Sequence, residues 1–267
     1  MKFGICTNMN VSNTNKIGIE QFAFFANAGF DYLELPLGEI MLLDDDEYAY
    51  LRKELKKSGI PCKACNVIFH GGISITGPDA DISKIKNYCE SALVKASEIG
   101  AEVVVFGSPK ARNFPPGFPK DKAYEQVDEA ISIIGQIASD FGIIVALEQT
   151  NPAEGNVFSS FREVMEAAQR ASHPHIKCNI DNYHLFVVME TISIFRGIGD
   201  MLGHVHISGL IGRYMPLQEN ELDYKGFFSS LKKEKYDNFI SIEGNAKNIA
   251  IDSKHSLDML RKLWIES

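Results

Sequence analysis

No apolar run in the chain approaches the ~20 residues a helix needs to cross a bilayer, so no membrane partner is expected. The opening MKFGICTNMN lacks the long apolar segment of a secretory signal. Basic residues are in deficit, 27 Lys and Arg against 35 Asp and Glu, for a net charge of −8. A phosphate backbone requires Lys and Arg on the facing surface, so nucleic acid is disfavoured as a partner. Cysteine is scarce, five residues thinly spread in a chain too large to need staples, and reduced thiols in a cytoplasmic protein are expected. No Gly/Ser/Pro linker divides the chain. The stretch after the first candidate strand, TNMNVSNTN (7–15), has no glycine, which excludes the usual nucleotide-phosphate loop at that place. What remains is a globular mix of 267 residues, 45% hydrophobic and 23% charged. That is enough apolar material for one large core.

Short β-branched runs alternate with amphipathic stretches along the whole length. The candidate strands are 2–7, 32–36, 61–67, 102–107, 143–149, 176–181, 203–208 and 239–244. Helical segments fall near 17–28, 46–58, 81–99, 121–141, 159–171, 184–197, 222–234 and 251–265. In 121–141, Val127, Ala130, Ile131, Ile134, Ile137 and Ala138 recur at three- and four-residue intervals, with Asp121 as a candidate cap and Gly142 where a helix stops. The acidic run DDDEY (44–48) reads as a solvated cap on the second helix. Eight strand–helix units fit a single-domain α/β fold over 1–267, a closed (β/α)8 TIM barrel. The Pro-rich NFPPGFPKD (113–121) is then a loop on the catalytic rim.

In such a barrel, polar residues at the C-terminal strand ends converge on one pocket. Glu148, Asp181, His206 and Glu243 each end a candidate strand, at spacings of 33, 25 and 37 residues. Three converging carboxylates repel unless a proton or a cation intervenes. One nitrogen with three carboxylate oxygens is a hard ligand set, suited to one divalent ion such as Mn²⁺, Mg²⁺ or Co²⁺.

The stretches ALEQTNPAE, NIDNYHL, GHVHIS and ISIEG, with weaker support from GFDYLELPLGE (29–39), resemble the xylose-isomerase-like barrel superfamily. Within it they are similar to the tagatose/psicose (ketose) 3-epimerases. The resemblance implies that Glu148, Asp181, His206 and Glu243 bind one divalent metal. It also implies that Glu148 and Glu243 are catalytic, exchanging protons on opposite sides of a sugar, and that Glu154 and His184 contact its hydroxyls. The implied reaction moves a proton beside a carbonyl, generating an enediolate whose charge calls for a Lewis acid. It needs no nicotinamide.

The chain departs from the epimerase pattern in places that bear on the substrate. The expected Arg six residues past the metal His is displaced to Arg213, a Pro-Gly-x-Gly stretch reads MPLQEN, and a Trp after the fourth strand is absent. The alternative reading is therefore a metal-dependent lyase on an oxo-sugar: carbon-glycoside cleavage of a 3-oxo-glycoside, or keto-inositol dehydration. Some lyases of the superfamily carry a separate small subunit, so a homo-oligomer and a complex with a small partner subunit both stay open. The abasic-site endonuclease branch requires more zinc ligands and a basic face, which seven His and a charge of −8 do not supply. A non-catalytic sugar-binding barrel would not need both proton-transfer carboxylates.

Five further residues carry readings of their own. His70 in IFHGG is either a pocket-lining substrate contact or a loop histidine. His204, two before His206, shares its sheet face, so either could be the ligand; strand position and the family resemblance favour His206, with His204 as an interior partner. Glu34 either hydrogen-bonds inside the barrel or touches substrate. Cys62 and Cys65 are three apart, which on a regular strand puts them on opposite faces as separate core thiols.

Overall fold

The computed structural model describes residues 1–10 and 16–267. Residues 11–15 of the glycine-free stretch read from the sequence lie outside the described part. The eight strands are β1 (Lys2–Cys6), β2 (Tyr32–Pro36), β3 (Cys62–Asn66), β4 (Val103–Phe106), β5 (Ile144–Glu148), β6 (Ile176–Asp181), β7 (Leu202–Ile207) and β8 (Phe239–Ile242). All pair in parallel and in chain order, and β8 closes on β1 to complete the barrel. The helices are α1 (Phe22–Ala28), α2 (Leu37–Ile40), α3 (Asp45–Ser58), α4 (Ile82–Glu98), α5 (Pro109–Arg112), α6 (Lys120–Phe141), α7 (Phe161–Ala171), α8 (Asn182–Val187), α9 (Tyr224–Lys233) and α10 (Ile249–Glu266).

Local chemistry explains where these elements begin and end. Asp44 and Glu47 form a reciprocal cap on α3, each carboxylate accepting the other's backbone N–H. Gly142 stops α6 at φ 66°. Asp121 does not cap that helix: α6 starts at Lys120, after Pro119, and Asp121 sits in its first turn. The segment 184–197 is not one helix. α8 ends when Met189 turns left-handed at φ 57°, so that Glu190 N–H reaches back to Leu185 O, and only a short 3-10 turn, Ile192–Phe195, follows.

Alternation along the strands builds two cores. One face fills the shell between barrel and helices; the other forms the barrel interior. The interior floor is apolar: Tyr32, Ala64, Val103, Val105, Ala146 and Phe239. Gly4 is required there, since a Cβ would lie 2.3 Å from the Tyr32 ring. Above the floor come Glu34, Asn179, His204 and Ser241, all fully buried.

Two slips in register shift the alternation. Opposite Leu33 and Glu34, β3 carries an extra residue, so Cys62 and Cys65 both face the outer shell. The expectation of opposite faces is thus corrected. The two thiols are neighbours, and hydrogen bonding to Cys62, together with burial, pushes Cys65 well above the usual thiol range. All five cysteines are buried and unbridged. The second slip lies between β6 and β7, where Gly203 is the extra residue beside His204.

Candidate metal centre

The four strand-end residues meet at the mouth of the barrel. One ligand atom from each of Glu148, Asp181, His206 and Glu243 lies within 4.8 Å of all the others. Glu148 and Glu243 are 7% exposed, Asp181 1%, and His206 is fully buried. Glu148 closes β5, and Gly107 leaves room beside it: a Cβ there would fall 2.0 Å from Glu148 Oε2 and displace the carboxylate. Asp181 divides its two oxygens. Oδ1 caps α8 by accepting the N–H groups of Tyr183 and His184 at 2.8 and 3.2 Å, leaving Oδ2 to the site. His206 Nδ1 faces Glu148 Oε1 at 2.7 Å and Glu243 Oε2 at 2.9 Å.

Arg213 reaches the same centre from the loop after β7. Its Nη2 donates to Asp181 Oδ2 at 2.5 Å and to Glu243 Oε2 at 2.6 Å, with the guanidinium 5.0 Å over the Tyr183 ring. Backbone bonds hold it there. Gly209 N–H donates to Tyr214 O, Asn245 N–H to Arg213 O and Met215 N–H to Asn245 O, stitching this loop to the exit of β8. Gly212 and Arg213 are both left-handed, at φ 69° and 49°. That backbone turn delivers Arg213 despite its one-residue displacement in the sequence.

His184 and Glu154 form a second rank. Asn151 Nδ2 donates to Glu154 Oε1 at 2.7 Å and lies 3.3 Å from His184 Nδ1, leaving His184 Nε2 turned toward Asp181 Oδ2, 3.7 Å away, and Glu154 Oε2, 3.9 Å away. His70 stands apart: its Nδ1 accepts the Gly72 N–H at 3.0 Å and its ring meets Tyr88 edge-on.

The charges favour a cation at this centre. Burial would raise the Glu243 carboxyl, but Arg213 and His206 beside it bring it down to about 2. Burial likewise opposes a charged His206, yet Glu243, Glu34 and Glu148 raise it well above the ordinary imidazole value. Three carboxylates and one imidazole nitrogen, buried and convergent, therefore fit a hard divalent ion.

Two supporting residues were not singled out in the sequence. Asn179, two residues before Asp181 on β6, donates to Glu148 Oε1 at 2.6 Å and lies 3.2 Å from His206 Nδ1. Its signal was alternation, since it shares the interior face with Asp181. Arg112 is fully buried, donating to Phe106 O, Val157 O and Thr150 Oγ1. Burial lowers it to about 10, with Glu148 the strongest opposing influence. Nothing in PKARN distinguishes that buried arginine from a surface one.

Residues 22–263 match the family model described as xylose isomerase-like TIM barrel. The chain belongs to that family. Among characterised relatives it is 26% identical over 254 residues to a ketose 3-epimerase of Arthrobacter globiformis, covering 90% of this chain and 82% of that one. It is 23% identical over 252 residues to a 3-dehydro-D-guloside 4-epimerase of Escherichia coli (strain K12), covering 91% and 94%. A crystal structure of D-psicose 3-epimerase in the presence of D-fructose superposes with a TM-score of 0.85 at 20% identity, over 99% of both chains. No helix among the described residues is long and apolar enough to cross a membrane.

Proposed function

We propose that the chain is a metal-dependent sugar isomerase or epimerase, with ketose 3-epimerisation as its favoured reaction. The observation that carries this reading is the convergence of Glu148, Asp181, His206 and Glu243 within 4.8 Å at four successive strand ends. The sugar epimerases among its relatives support the substrate class. These four residues would hold one divalent ion, Mn²⁺ foremost and Co²⁺ or Mg²⁺ as alternatives, which when bound supplies a Lewis acid for the sugar's oxygens. Glu148 and Glu243 each exchange a proton with the carbon beside the carbonyl, one on each face, so the configuration there inverts. His184 and Glu154, tied together through Asn151, orient hydroxyl groups. Arg213 neutralises the crowded carboxylates and offers its remaining donors to the substrate. His70, with Nδ1 taken by its own loop, contributes Nε2 at most.

A second reading retains the centre and changes the outcome: a lyase acting on an oxo-sugar, in which the proton lost beside the carbonyl is followed by expulsion of a leaving group. The distinctive 209–220 loop favours it, and a relative named as a 3-dehydro-D-guloside 4-epimerase supports an oxo-glycoside as substrate for either outcome. The test is incubation of Mn²⁺-loaded protein with a ketohexose panel and with 3-oxo-glycosides in D₂O. Deuterium beside the carbonyl with an epimer supports the first reading, and an elimination product the second. Absence of exchange with every substrate rejects both.

A further inference from the structure

Beneath the candidate metal centre lies a closed polar layer that the proposed chemistry does not use. Glu34, in the middle of β2, is fully buried. Its Oε1 lies 2.9 Å from His206 Nε2, and its Oε2 lies 2.8 Å from His204 Nε2. Oε2 also accepts a short hydrogen bond from Ser241 Oγ, which in turn lies 2.7 Å from the Tyr32 hydroxyl. An ionised carboxylate only accepts, so both imidazoles must present Nε2 as N–H donors. For His206 this fixes where the other lone pair points. Its Nδ1 faces Glu148 and Glu243, and Asn179 Nδ2, a donor, lies 3.2 Å from the same atom.

The structure also holds a competing arrangement. Cys6, Glu34 and His206 offer ligand atoms within 4.8 Å of one another, and of these Glu34 faces the ring at Nε2. A metal there would use Nε2 and a thiolate, and Glu34 would become a ligand. A neutral imidazole has one lone-pair nitrogen, so the two arrangements exclude each other. The outer one offers three carboxylates besides the ring, whereas the inner one offers three ligands in all and must break Glu34's bond to His206.

We propose that Glu34 is the positioning residue of the metal centre: it accepts the His206 Nε2–H, presents Nδ1 to Glu148, Asp181 and Glu243, and is itself anchored by His204 and Ser241. This rests on the metal-site reading above. Such partners of metal-binding histidines commonly account for 10–100-fold in affinity.

The experiment is calorimetric titration of chelator-treated wild type, Glu34→Gln and Ser241→Ala with Mn²⁺, each checked for folding by near-ultraviolet circular dichroism. Wild type that binds no metal rejects the metal-site reading itself. Given binding, folded Glu34→Gln should bind about 10–100-fold more weakly, and Ser241→Ala should show a smaller loss; affinity equal to wild type in Glu34→Gln overturns the inference. Should Glu34→Gln fail to fold, wild type decides. Long-range ¹H–¹⁵N spectra of Zn²⁺-loaded protein should show His206 protonated at Nε2, and a proton at Nδ1 overturns the proposal. A thiolate-to-cobalt absorption band in Co²⁺-loaded wild type, abolished by Cys6→Ser, would place the metal on the inner side and overturn it equally.

Discussion

The barrel interior has two ends built on opposite principles. Its floor, Tyr32, Val103, Ala146 and Phe239 with their neighbours, is apolar and close-packed, to the point that Gly4 must lack a Cβ to admit the Tyr32 ring. Its mouth gathers three carboxylates, two of them bridged by one arginine, around one imidazole. The floor gains stability by leaving water, whereas the mouth loses solvation and recovers it only through ion pairs and, in our reading, a bound cation. Between them the Glu34 layer is polar like the mouth and buried like the floor. The contrast teaches that substitutions at the two ends should fail in different ways.

The largest effect is expected from emptying the mouth. Chelator-stripped protein should lose turnover and recover it with Mn²⁺ or Co²⁺, while far-ultraviolet circular dichroism stays unchanged because the floor does not depend on metal. Unchanged turnover after verified removal would break the comparison. Next come Glu148→Gln and Glu243→Gln, which keep size and one ligating oxygen but remove basicity. Turnover should fall about 10²–10⁴-fold, the range of a positioned general base. Metal occupancy has to be measured in each, since a lost ligand mimics a lost base. If both variants keep metal and near-full deuterium exchange, the two-carboxylate mechanism is wrong. His184→Ala sharpens the picture: a loss in KM alone marks uniform binding, whereas a fall in kcat marks a contact strengthened during the proton transfer.

The floor should answer in the opposite sense. Phe239 packs edge-on against Tyr32 at 5.0 Å between centroids and is 1% exposed. Phe239→Ala removes that ring and leaves a cavity, a change that typically costs about 3–5 kcal/mol. Denaturant unfolding should register this, with metal affinity per folded molecule retained. Weakened metal binding in the folded variant would show that the two ends are mechanically coupled.

How much of this was legible before the fold was known also divides by depth. All eight strands could be placed because a parallel barrel buries both faces of each strand and leaves near-continuous apolar runs such as EVVVFG. The mouth was legible because Glu148, Asp181, His206 and Glu243 interrupt such runs at their ends, where charge has only the mouth to face. Depth within the barrel was not legible. Glu148 is register-paired with Asn179 and then His204, yet its carboxylate meets His206. Strand tilt and the extra Gly203 set that offset, and neither can be counted along the sequence. The same limit left Glu34 undecided, and the β3 bulge reversed the expected separation of Cys62 and Cys65. Helix ends failed for a local reason: Met189 adopts a left-handed conformation that its residue type does not announce.

The smallest expected effect tests whether the Glu34 layer behaves as mouth or as floor, by following the stability of metal-free protein against pH. Glu34 is pushed up by burial but held well below its ordinary value of 4.5 by His206 and His204, and Glu243 is brought down to about 2. What these two contribute is present above pH 4.5 and is lost as pH falls toward 2. His206 runs the other way. Held above its ordinary 6.5, it contributes fully below that pH and progressively less as pH rises through its folded-state value. Metal-free protein should therefore be most stable between pH 4.5 and 6.5, with both flanks visible in thermal unfolding. Metal uptake requires His206 to give up its Nδ1 proton, so the alkaline flank should flatten on loading while the acid flank steepens. A metal-free protein whose Tm is level from pH 5 to 9 would show that His206 is neutral without metal, and that Arg213 alone balances the carboxylates of the mouth.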